Sequence, residues 1–343
     1  MPEFNFNPTS DIATSALTRK PVSGGRFNVH TTSDQAAADL ASGITDKTVI
    51  ITGVSPTGIG ADAARAIFQQ NPKLLILASR SLENINAVIN EIRGSKSVEN
   101  VKPLLLDLSD LTSVRKAADE LLRMTAVVDA LINNAGVMMV PNFKTTSEGI
   151  EWHFAINHVG HFLFTNLIMP ALLKSQDGAC VVSVSSAAHR GSIVHFEDIN
   201  FNEGKNYEKF LAYAQSKSAN LLFSVGLTQK LGKKNLRSFG VDPGGIPTTG
   251  ISRDISMEER IERGWWDKNG NPNTELIPYK SVEQGSANYI VAAFDRTIDD
   301  QSGACITDSA IDPTTAPHAL DPESAKKLWA LSEKLVGQEF SYN

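Results

Sequence analysis

Residues 47–60 read Lys-Thr-Val-Ile-Ile-Thr-Gly-Val-Ser-Pro-Thr-Gly-Ile-Gly, and this stretch decides the fold. Its first half, residues 47–53, is a short run of β-branched apolar residues, which predicts a buried strand that ends at Gly53. The second half leads through Gly58 and Gly60 into a segment rich in helix-favouring residues. The predicted order is therefore strand, glycine turn and helix.

A glycine turn between a strand and a helix lets the backbone approach a pyrophosphate closely. It also directs the free amides and the positive dipole end of the helix toward that group. The alternative is a turn that only packs the helix on the strand. A second apolar run at residues 74–78 follows at the spacing that a βαβ unit requires, and it favours the dinucleotide-binding interpretation.

Further apolar runs continue the series of strands. Together with the two above they give seven predicted strands, at residues 47–53, 74–78, 101–107, 127–132, 179–185, 236–241 and 303–307. Helical patterns lie between most of them, and near-continuously apolar strands are typical of a parallel sheet covered on both faces. The sequence predicts one α/β, doubly wound Rossmann-type domain with a seven-stranded, mostly parallel sheet. Ligands of such sheets bind at the carboxyl ends of the strands.

Tyr213 and Lys217 lie four residues apart in a segment whose apolar spacing predicts a helix, so the phenol and the ammonium share one helix face. An adjacent ammonium favours the phenolate and is expected to lower the tyrosine pKa toward the working pH. Such a pair could transfer a proton to or from an alcohol. The alternative is a half-buried aromatic residue beside a solvated lysine, a spacing that occurs by chance in many helices.

These features in combination resemble the short-chain dehydrogenase/reductase family, and most closely its retinol-dehydrogenase-like and fungal secondary-metabolism members. The resemblance covers roughly residues 43–310 as a core, with a family-like segment from Lys327 near the end. The motifs that follow the glycine turn, in family order, are Asn133-Asn-Ala-Gly136, Phe154-Ala-Ile-Asn-His-Val-Gly-His, Val184-Ser-Ser-Ala-Ala188, Tyr213 to Lys217, and Pro243-Gly244.

The resemblance implies a catalytic set of Asn157, Ser186, Tyr213 and Lys217. Tyr213 would donate the proton in reduction and accept it in oxidation. Lys217 would lower the pKa of Tyr213 and bond the nicotinamide ribose, while Ser186 would donate to the substrate oxygen. Asn157 would hold a water that links Lys217 to solvent.

Arg80 and Ser79 bear on the choice of cofactor. An NAD site places an acid at the end of the second strand, whereas Ser79-Arg80 offers a hydroxyl and a guanidinium suited to a 2′-phosphate. NADP(H) is therefore the predicted cofactor, with a surface role for Arg80 as the alternative. The predicted cofactor-binding residues are Gly53, Ser55, Thr57, Gly58, Ile59, Gly60, Ser79, Arg80, Asp107, Leu108, Asn134, Ala135, Gly136, Tyr213, Lys217, Pro243, Gly244, Ile246 and Thr248.

The glycine turn departs from the family pattern in one respect. The family has three residues between its first two glycines, whereas this chain has four between Gly53 and Gly58. The added residue, in a segment that contains Pro56, is expected to bulge the turn. Ser55 or Thr57 would then supply hydroxyl contacts to a phosphate.

Other residues compete with these assignments. Ser185 is the rival of Ser186, although the family pattern favours the second serine of the pair. Tyr207 has no lysine four residues later and is interpreted as a surface or pocket residue. His158 and His161 are spaced like helical metal ligands, but no carboxylate or cysteine pattern accompanies them, so packing is the better interpretation and no metal site is predicted.

Composition excludes some other classes. The 343 residues carry a formal net charge of −6 with interspersed signs, so the sequence has no basic stripe for nucleic acid and no polybasic membrane patch. Cys180 and Cys305 fall in predicted strands and are expected to be buried thiols in a reducing compartment. No run approaches the roughly eighteen apolar residues of a membrane span, and no signal pattern opens the chain. A cytoplasmic location is expected, and a homodimer is left open.

Additions surround the predicted domain. Residues 1–42 are expected to form an N-terminal arm that includes a short helix near residues 33–40, and residues 43–343 the Rossmann-type domain. Insertions at about 187–212 and 249–280 are expected to form a substrate lid. The second contains Trp265 and Trp266, which either contact a bulky apolar substrate or anchor the lid to the core.

The expected function is reduction of a ketone or aldehyde of a bulky apolar small molecule with NADP(H), or oxidation of the corresponding alcohol. Two alternatives stay open at this point. One is an NADP(H)-binding sensor or regulatory protein without turnover. The other is a pathway enzyme that uses the same site for a coupled cyclisation.

Overall fold

One sheet organises the chain. The structure, a computed structural model, describes residues 22, 25–94 and 98–342. Within that part the strands are β1 (Thr48–Thr52), β2 (Leu74–Ser79), β3 (Val101–Leu105), β4 (Ala130–Asn133), β5 (Ala179–Val184), β6 (Leu236–Val241), β7 (Cys305–Thr307) and β8 (Ala310–Ile311). Their order is β3-β2-β1-β4-β5-β6-β7-β8. Strands β1 to β7 pair in parallel, and β8 pairs antiparallel with β7.

Helices connect most of the parallel strands. They are α1 (Ser33–Asp39), α2 (Ala41–Ile44), α3 (Ile59–Phe68), α4 (Leu82–Arg93), α5 (Leu111–Met124), α6 (Trp152–Phe154), α7 (Gly160–Leu167), α8 (Met169–Leu172), α9 (Lys209–Leu231), α10 (Met257–Glu262), α11 (Val282–Phe294) and α12 (Pro322–Val336). A π-helical segment, Ala155–Val159, joins α6 to α7.

Both faces of the sheet are covered. One hydrophobic cluster combines alternate strand residues such as Ile50 and Leu131 with α5, α7, α9 and α12. A second cluster combines Val49, Ile51 and their neighbours with α1, α3, α4 and α11. Because side chains of a strand alternate between faces, a fully buried strand needs helices on both sides. The predicted doubly wound α/β domain is confirmed.

The strand count was predicted wrongly, because the sheet has eight strands and not seven. The additional strand, β8, has only two residues and returns beside β7 through a turn at Asp308 and Ser309. Both turn residues have left-handed backbones, with φ of 54° and 59°. Neither is the glycine that normally signals such a hairpin, so the sequence gives little warning of it.

A buried carboxylate holds the start of α3 against its neighbours. Asp62 accepts a hydrogen bond from Ser33 of α1 at 2.6 Å and another from Ser286 of α11, and it pairs with Arg65. Helix α1 matches the helix predicted near residues 33–40, and Ala36 and Ala37 are fully buried in the core. The predicted arm also includes residues 1–21 and 23–24, which lie outside the described residues.

Cys180 and Cys305 are both free and buried, as expected. Among the described residues, no helix combines the length and the apolar character needed to cross a membrane.

Candidate active site

Two adjoining cavities lie at the carboxyl ends of the parallel strands. The first, called here the cofactor cleft, is lined by residues that follow β1 to β4, among them Gly53, Arg80, Asp107 and Asn134. The second, called here the substrate cavity, is lined by residues that follow β5 and β6, by α9 and by the lid. Ile59, Asn134, Thr249 and Ile251 line both, so the cavities meet at these four residues.

The glycine turn brings the backbone of Gly53 close to the backbone of Ala135. Gly53 has a left-handed φ of 71°, and a Cβ atom there would lie 2.4 Å from the Cα of Ala135. The added residue is taken up by a turn that the Gly58 amide closes on the Ser55 carbonyl at 3.0 Å, with Thr57 at a φ of 61°. Helix α3 follows Gly58 directly, and no side chain caps its start, which borders the cleft at Ile59.

Asn134 joins the two cavities to the glycine turn. Its amide nitrogen donates to the Thr52 carbonyl at 2.7 Å, and its amide oxygen accepts from the Tyr289 hydroxyl at 3.0 Å. Gly60 packs closely beneath it, because a Cβ at Gly60 would lie 2.6 Å from the Asn134 nitrogen. Gly60 therefore permits this packing without lining the cleft itself.

The side chain of Arg80 lies at the outer part of the cofactor cleft. Arg80 is exposed, and within the described part of the chain it has no hydrogen bond or ion pair. Ser79 lines the cleft beside it. On the other side, the Asp107 carboxylate is bonded by the Ser109 hydroxyl at 2.6 Å. A guanidinium with free donors and a neighbouring hydroxyl can hold a phosphate.

Three of the predicted catalytic residues line the substrate cavity together: Ser186, Tyr213 and Lys217. Tyr213 and Lys217 share one face of α9, and the Lys217 ammonium lies 5.5 Å from the centre of the Tyr213 ring. Ser186 follows β5 and its hydroxyl interacts with the Tyr213 phenol. The rival Ser185 instead donates its hydroxyl to the Lys217 carbonyl at 2.7 Å, which favours Ser186 as the serine available to a ligand.

Burial controls the pKa values of this group. It raises the pKa of Tyr213, and Asp242 adds to this effect, while the interaction with Ser186 opposes both. The prediction that Lys217 lowers the Tyr213 pKa toward neutrality is therefore wrong, because the Tyr213 pKa is raised. Burial also lowers the pKa of Lys217 to about 7, against the opposing charge of Asp242. At neutral pH the phenol is protonated and can serve as an acid.

Asn157 lies in the π-helical segment and is fully buried. Its side chain accepts from the Val137 amide at 2.8 Å and donates to the Val137 carbonyl at 3.0 Å and to the Ser216 hydroxyl at 2.8 Å. Gly136 is the neighbour that brings Asn157 near Lys217, because a Cβ there would lie 3.1 Å from the Asn157 oxygen and 3.6 Å from the Lys217 nitrogen. Asn157 thus fixes the backbone beside the cavity and does not line it.

The segment after β6 contributes different residues than its motif suggests. Pro243, Gly244 and Ile246 were predicted to bind the cofactor, and in the structure they line the substrate cavity and not the cofactor cleft. Thr248 is exposed and lines neither cavity, whereas Thr249 lines both. The chain turns after Gly244, whose φ is 83°, and the Thr249 hydroxyl bonds the Ile246 carbonyl at 3.3 Å. Of these two neighbouring threonines, Thr249 is therefore the one that borders the cavities.

Apolar side chains dominate the rest of the substrate cavity. Met138, Met139 and Phe210 line it, as do Trp265 and Trp266 of the second insertion. Trp265 also packs against the cluster of Phe210 and Tyr213, so it both lines the cavity and anchors the lid, whereas Trp266 is not part of that cluster. The first insertion contributes only its two ends, through Ala187, Ala188 and Phe210.

Arg260 braces the lid internally. Its guanidinium donates to the Ser252 carbonyl at 2.6 Å, to the Ser252 hydroxyl at 3.0 Å and to the Ile255 carbonyl at 3.2 Å. It also lies 5.4 Å from the centre of the Trp266 ring. On the outer side, Glu259 joins Lys209 at the start of α9. The lid is therefore connected to the helix that carries Tyr213.

The histidines of the π-helical region pack inside the protein. His158 bonds the Ser332 hydroxyl at 2.7 Å, and His161 bonds the Thr52 hydroxyl at 2.9 Å and the Asn157 carbonyl at 3.1 Å. Burial lowers the pKa of His158 to about 3 and that of His161 to about 4. Tyr207 donates to the Val140 carbonyl at 2.7 Å and lines neither cavity.

Sequence reasoning missed Asp242 and Tyr289. Both line the substrate cavity, and the Asp242 carboxylate accepts from the Gly244 amide at 3.0 Å, which shapes the turn after β6. Asp242 stands immediately before Pro243-Gly244, so an acid at the end of a buried strand was the available signal. Tyr289 lies within α11, far along the chain from every motif, and nothing local marked it.

A glycine turn before a helix and a tyrosine–lysine pair at the same edge of a parallel sheet define an α/β protein of the dinucleotide-binding class. Comparison with known proteins specifies the family. The model of the short chain dehydrogenase family matches residues 47–260. The chain belongs to the short-chain dehydrogenase/reductase family, whose members are oxidoreductases that bind a nicotinamide cofactor, either NAD or NADP.

Individual relatives resemble the chain over most of its length. Retinol dehydrogenase 13 of Homo sapiens is 35% identical over 301 residues, which cover 86% of each protein. The short-chain dehydrogenase/reductase prx1 of Penicillium rubens is 34% identical over 311 residues, with 87% of each covered. A crystal structure of an uncharacterised protein from Mycobacterium paratuberculosis superposes with a TM-score of 0.66 at 31% identity, covering 87% of this chain and 96% of that one.

Proposed function

We propose that the protein uses NADP(H) to reduce a ketone or aldehyde of a bulky apolar small molecule, or to oxidise the corresponding alcohol. The observation that carries this proposal is that Ser186, Tyr213 and Lys217 line one cavity together with a majority of apolar residues. When bound, the nicotinamide supplies or accepts the hydride. The protein then has to supply a proton, orientation and a water-poor surrounding.

Tyr213 is the proposed proton donor in reduction. Its phenol is buried and protonated at neutral pH, and it borders the cavity, so it can protonate an oxygen on which negative charge develops. Ser186, which interacts with that phenol, would donate a second hydrogen bond to the same oxygen. Both groups have to reach one substrate atom, which fits a carbonyl better than a larger polar group.

Lys217 and Asn157 would act around this pair. One donor of the Lys217 ammonium is used by the Val184 carbonyl at 3.0 Å, and the others can bond the hydroxyls of the nicotinamide ribose. Asn157 would position the Val137 backbone beside them through its paired hydrogen bonds. Thr249 is the threonine that would contact the nicotinamide amide.

NADP(H) is the proposed cofactor because Arg80 follows β2 with free donors, where an acid would favour NAD. For the substrate, the two methionines and two tryptophans of the cavity favour a lipid-like or partly aromatic compound. The name of the relative retinol dehydrogenase 13 supports the same class. A cytoplasmic location, a homodimer and a place in secondary metabolism stay predictions.

A screen of NADPH oxidation against aldehydes, ketones and quinones tests the function, with Tyr213→Phe as the catalytic variant. We expect wild-type turnover on at least one bulky apolar carbonyl compound. Tyr213→Phe should lower it by about a hundredfold or more while NADPH still binds. The matched control is Tyr207→Phe, which removes a hydroxyl bonded to the Val140 carbonyl outside both cavities.

Two outcomes would contradict the proposal. Turnover of Tyr213→Phe within a few-fold of wild type would rule out Tyr213 as the acid. Tight NADPH binding by a wild-type protein that reduces none of the compounds would instead favour a sensor without turnover.

A further inference from the structure

The lid begins as a segment shared by the two cavities. After β6 and the Pro243-Gly244 turn, the chain runs between them, so that Thr249 and Ile251 line both. Two residues further on, Arg253 lines the cofactor cleft only. The first part of the substrate lid is therefore also a wall of the cofactor cleft.

Arg253 differs from the other arginines of the lid. Arg260 is bonded to the Ser252 and Ile255 carbonyls, and Arg263 is paired with Glu259 at 2.9 Å. Arg253 is exposed, and in the part of the chain that the structure describes its side chain has no hydrogen bond or ion pair. Its five guanidinium donors are free to bind a ligand.

The charged side chains that line the cofactor cleft are positive on balance. They are Arg80, Asp107 and Arg253, and the Asp107 carboxylate already accepts two bonds from Ser109. Arg80 follows the end of β2, whereas Arg253 follows Ile251, a residue of both cavities, by two positions. Arg253 therefore lies near the junction of the two cavities, which Ile59 at the start of α3 also lines.

We propose that Arg253 is a cofactor-binding residue that holds the pyrophosphate of the dinucleotide from the lid, together with the uncapped start of α3. The pyrophosphate is the charged group that NAD and NADP share, and a guanidinium binds phosphate oxygens through paired donors. The helix amides and Arg253 would then both contact the pyrophosphate.

The hydrogen bonds of Arg260 within the lid connect this contact to the substrate cavity. Arg260 of α10 bonds the Ser252 carbonyl, next to Arg253, and lies 5.4 Å from the centre of the Trp266 ring. A bond between Arg253 and the pyrophosphate therefore positions the tryptophan wall of the substrate cavity as well. The dinucleotide would order the lid before any substrate is present.

The inference rests on the nicotinamide dinucleotide of the proposed function, but not on the choice between NAD and NADP. Isothermal titration calorimetry of Arg253→Gln and wild type tests it with NADP⁺, NAD⁺, ADP-ribose and adenosine. ADP-ribose contains the pyrophosphate without the nicotinamide or the 2′-phosphate, and adenosine contains no phosphate. The control variant is Lys268→Gln, which removes an exposed lid cation that lines neither cavity.

We expect Arg253→Gln to weaken NADP⁺, NAD⁺ and ADP-ribose by a similar factor of about three to ten, the scale of a solvent-exposed charged contact. Adenosine binding and all four affinities of Lys268→Gln should stay at the wild-type values. Unchanged affinity of Arg253→Gln for ADP-ribose would overturn the inference, as would a loss confined to NADP⁺, which would assign Arg253 to the 2′-phosphate. An equal loss for adenosine would also overturn it, because the effect would then not depend on a phosphate group.

The same titration separates this inference from the proposed function. Wild-type protein that binds neither NADP⁺ nor NAD⁺ would contradict both. If Arg253→Gln binds NADP⁺ and NAD⁺ as tightly as wild type does, only the role of Arg253 is contradicted.

Discussion

The Lys217 ammonium donates to the main-chain carbonyl of Val184 at 3.0 Å. Asn220, one turn further along α9, donates to the same carbonyl at 2.8 Å. The last residue of β5 is thereby bonded to the helix that carries Tyr213. Because Ser185 and Ser186 follow Val184 directly, these two bonds fix the serine side of the cavity relative to its tyrosine side.

The buried ammonium predicts a pH-dependent stability. Burial lowers the Lys217 pKa from 10.5 to about 7. Between these values the unfolded chain binds more protons than the folded protein, so the contribution of Lys217 to stability rises with pH in this window. From about pH 7 to about pH 9.5, wild type should gain up to roughly 1 kcal/mol per pH unit over Lys217→Met, measured by urea unfolding.

An exposed lysine provides the control for that measurement. Lys233→Met, at an exposed site just after α9, should show the same slope as wild type. Parallel pH profiles for wild type and Lys217→Met would mean that the Lys217 ammonium is not desolvated in the folded protein.

Arg80 is predicted to determine cofactor preference. A guanidinium bonded to a 2′-phosphate contributes roughly 1.5 to 3 kcal/mol, so Arg80→Ala should weaken NADPH by about ten- to a hundredfold and NADH only slightly. Ser79→Asp in addition should repel the phosphate and offer the ribose hydroxyls an acceptor, which ought to invert the preference. Fluorescence titration with both cofactors measures the effect. Arg93→Ala, an exposed arginine outside both cavities, is the control.

Two results would contradict the assignment of Arg80 to the 2′-phosphate of NADP(H). Wild type could bind NADH as tightly as NADPH, or Arg80→Ala could weaken both cofactors equally. Either result would return Arg80 to the role of a surface residue.

The lid tryptophans are predicted to select substrates by size. Trp266→Ala removes part of the cavity wall, so KM for bulky apolar substrates should rise by about tenfold or more, with little change for small aldehydes. Trp265→Ala should show the same selectivity and also lower the melting temperature, because Trp265 packs on the cluster of Phe210 and Tyr213.

Steady-state kinetics with a series of substrates, together with thermal unfolding, separate these effects. Trp152→Ala is the control, since Trp152 stacks with Lys144 outside both cavities. Lost stability with unchanged selectivity in Trp266→Ala would show that this tryptophan is an anchor alone.

Gly53 and Gly270 form a matched pair for testing the glycine turn. Both have left-handed backbones, with φ of 71° and 79°. An added Cβ at Gly270 meets open space, whereas at Gly53 it would lie 2.4 Å from a backbone atom of Ala135. Gly270→Ala should therefore cost only the conformational strain, about 1 to 2 kcal/mol.

Gly53→Ala should cost more than about 3 kcal/mol of unfolding free energy, because two backbone segments would have to separate. Urea unfolding of both variants measures the difference. Equal losses for the two would mean that β1 and the segment after β4 are less closely packed than the structure shows.

Local patterns were sufficient to predict most of the fold. Residues 47–60 specify a strand, a turn and a helix within a few positions of one another, and the later strands repeat a simple apolar pattern. The short strand β8 was missed because its pairing depends on a two-residue turn without glycine. Helices and strands can be predicted from the sequence where they depend on residues close along the chain. They are harder to predict where a contact depends on the conformation of a turn.

The site shows the same division. Tyr213 and Lys217 are four residues apart on one helix, so their proximity follows from helical geometry. Thr249 could not be separated from Thr248 by spacing alone, because the turn at Gly244 decides which of the two faces the cavities. The burial of Tyr213 could not be predicted from local spacing either, and this burial raises the Tyr213 pKa, which was expected to be lowered.

Ile251 belongs to the walls of both cavities. A displacement of this segment that widens the entrance for one ligand must therefore disturb the enclosure of the other. Lid motions of this kind set turnover in many enzymes, since product release often limits the rate. The residence time of the dinucleotide and the exchange of the small molecule are consequently linked through a single stretch of backbone, and selection could not tune either one independently there.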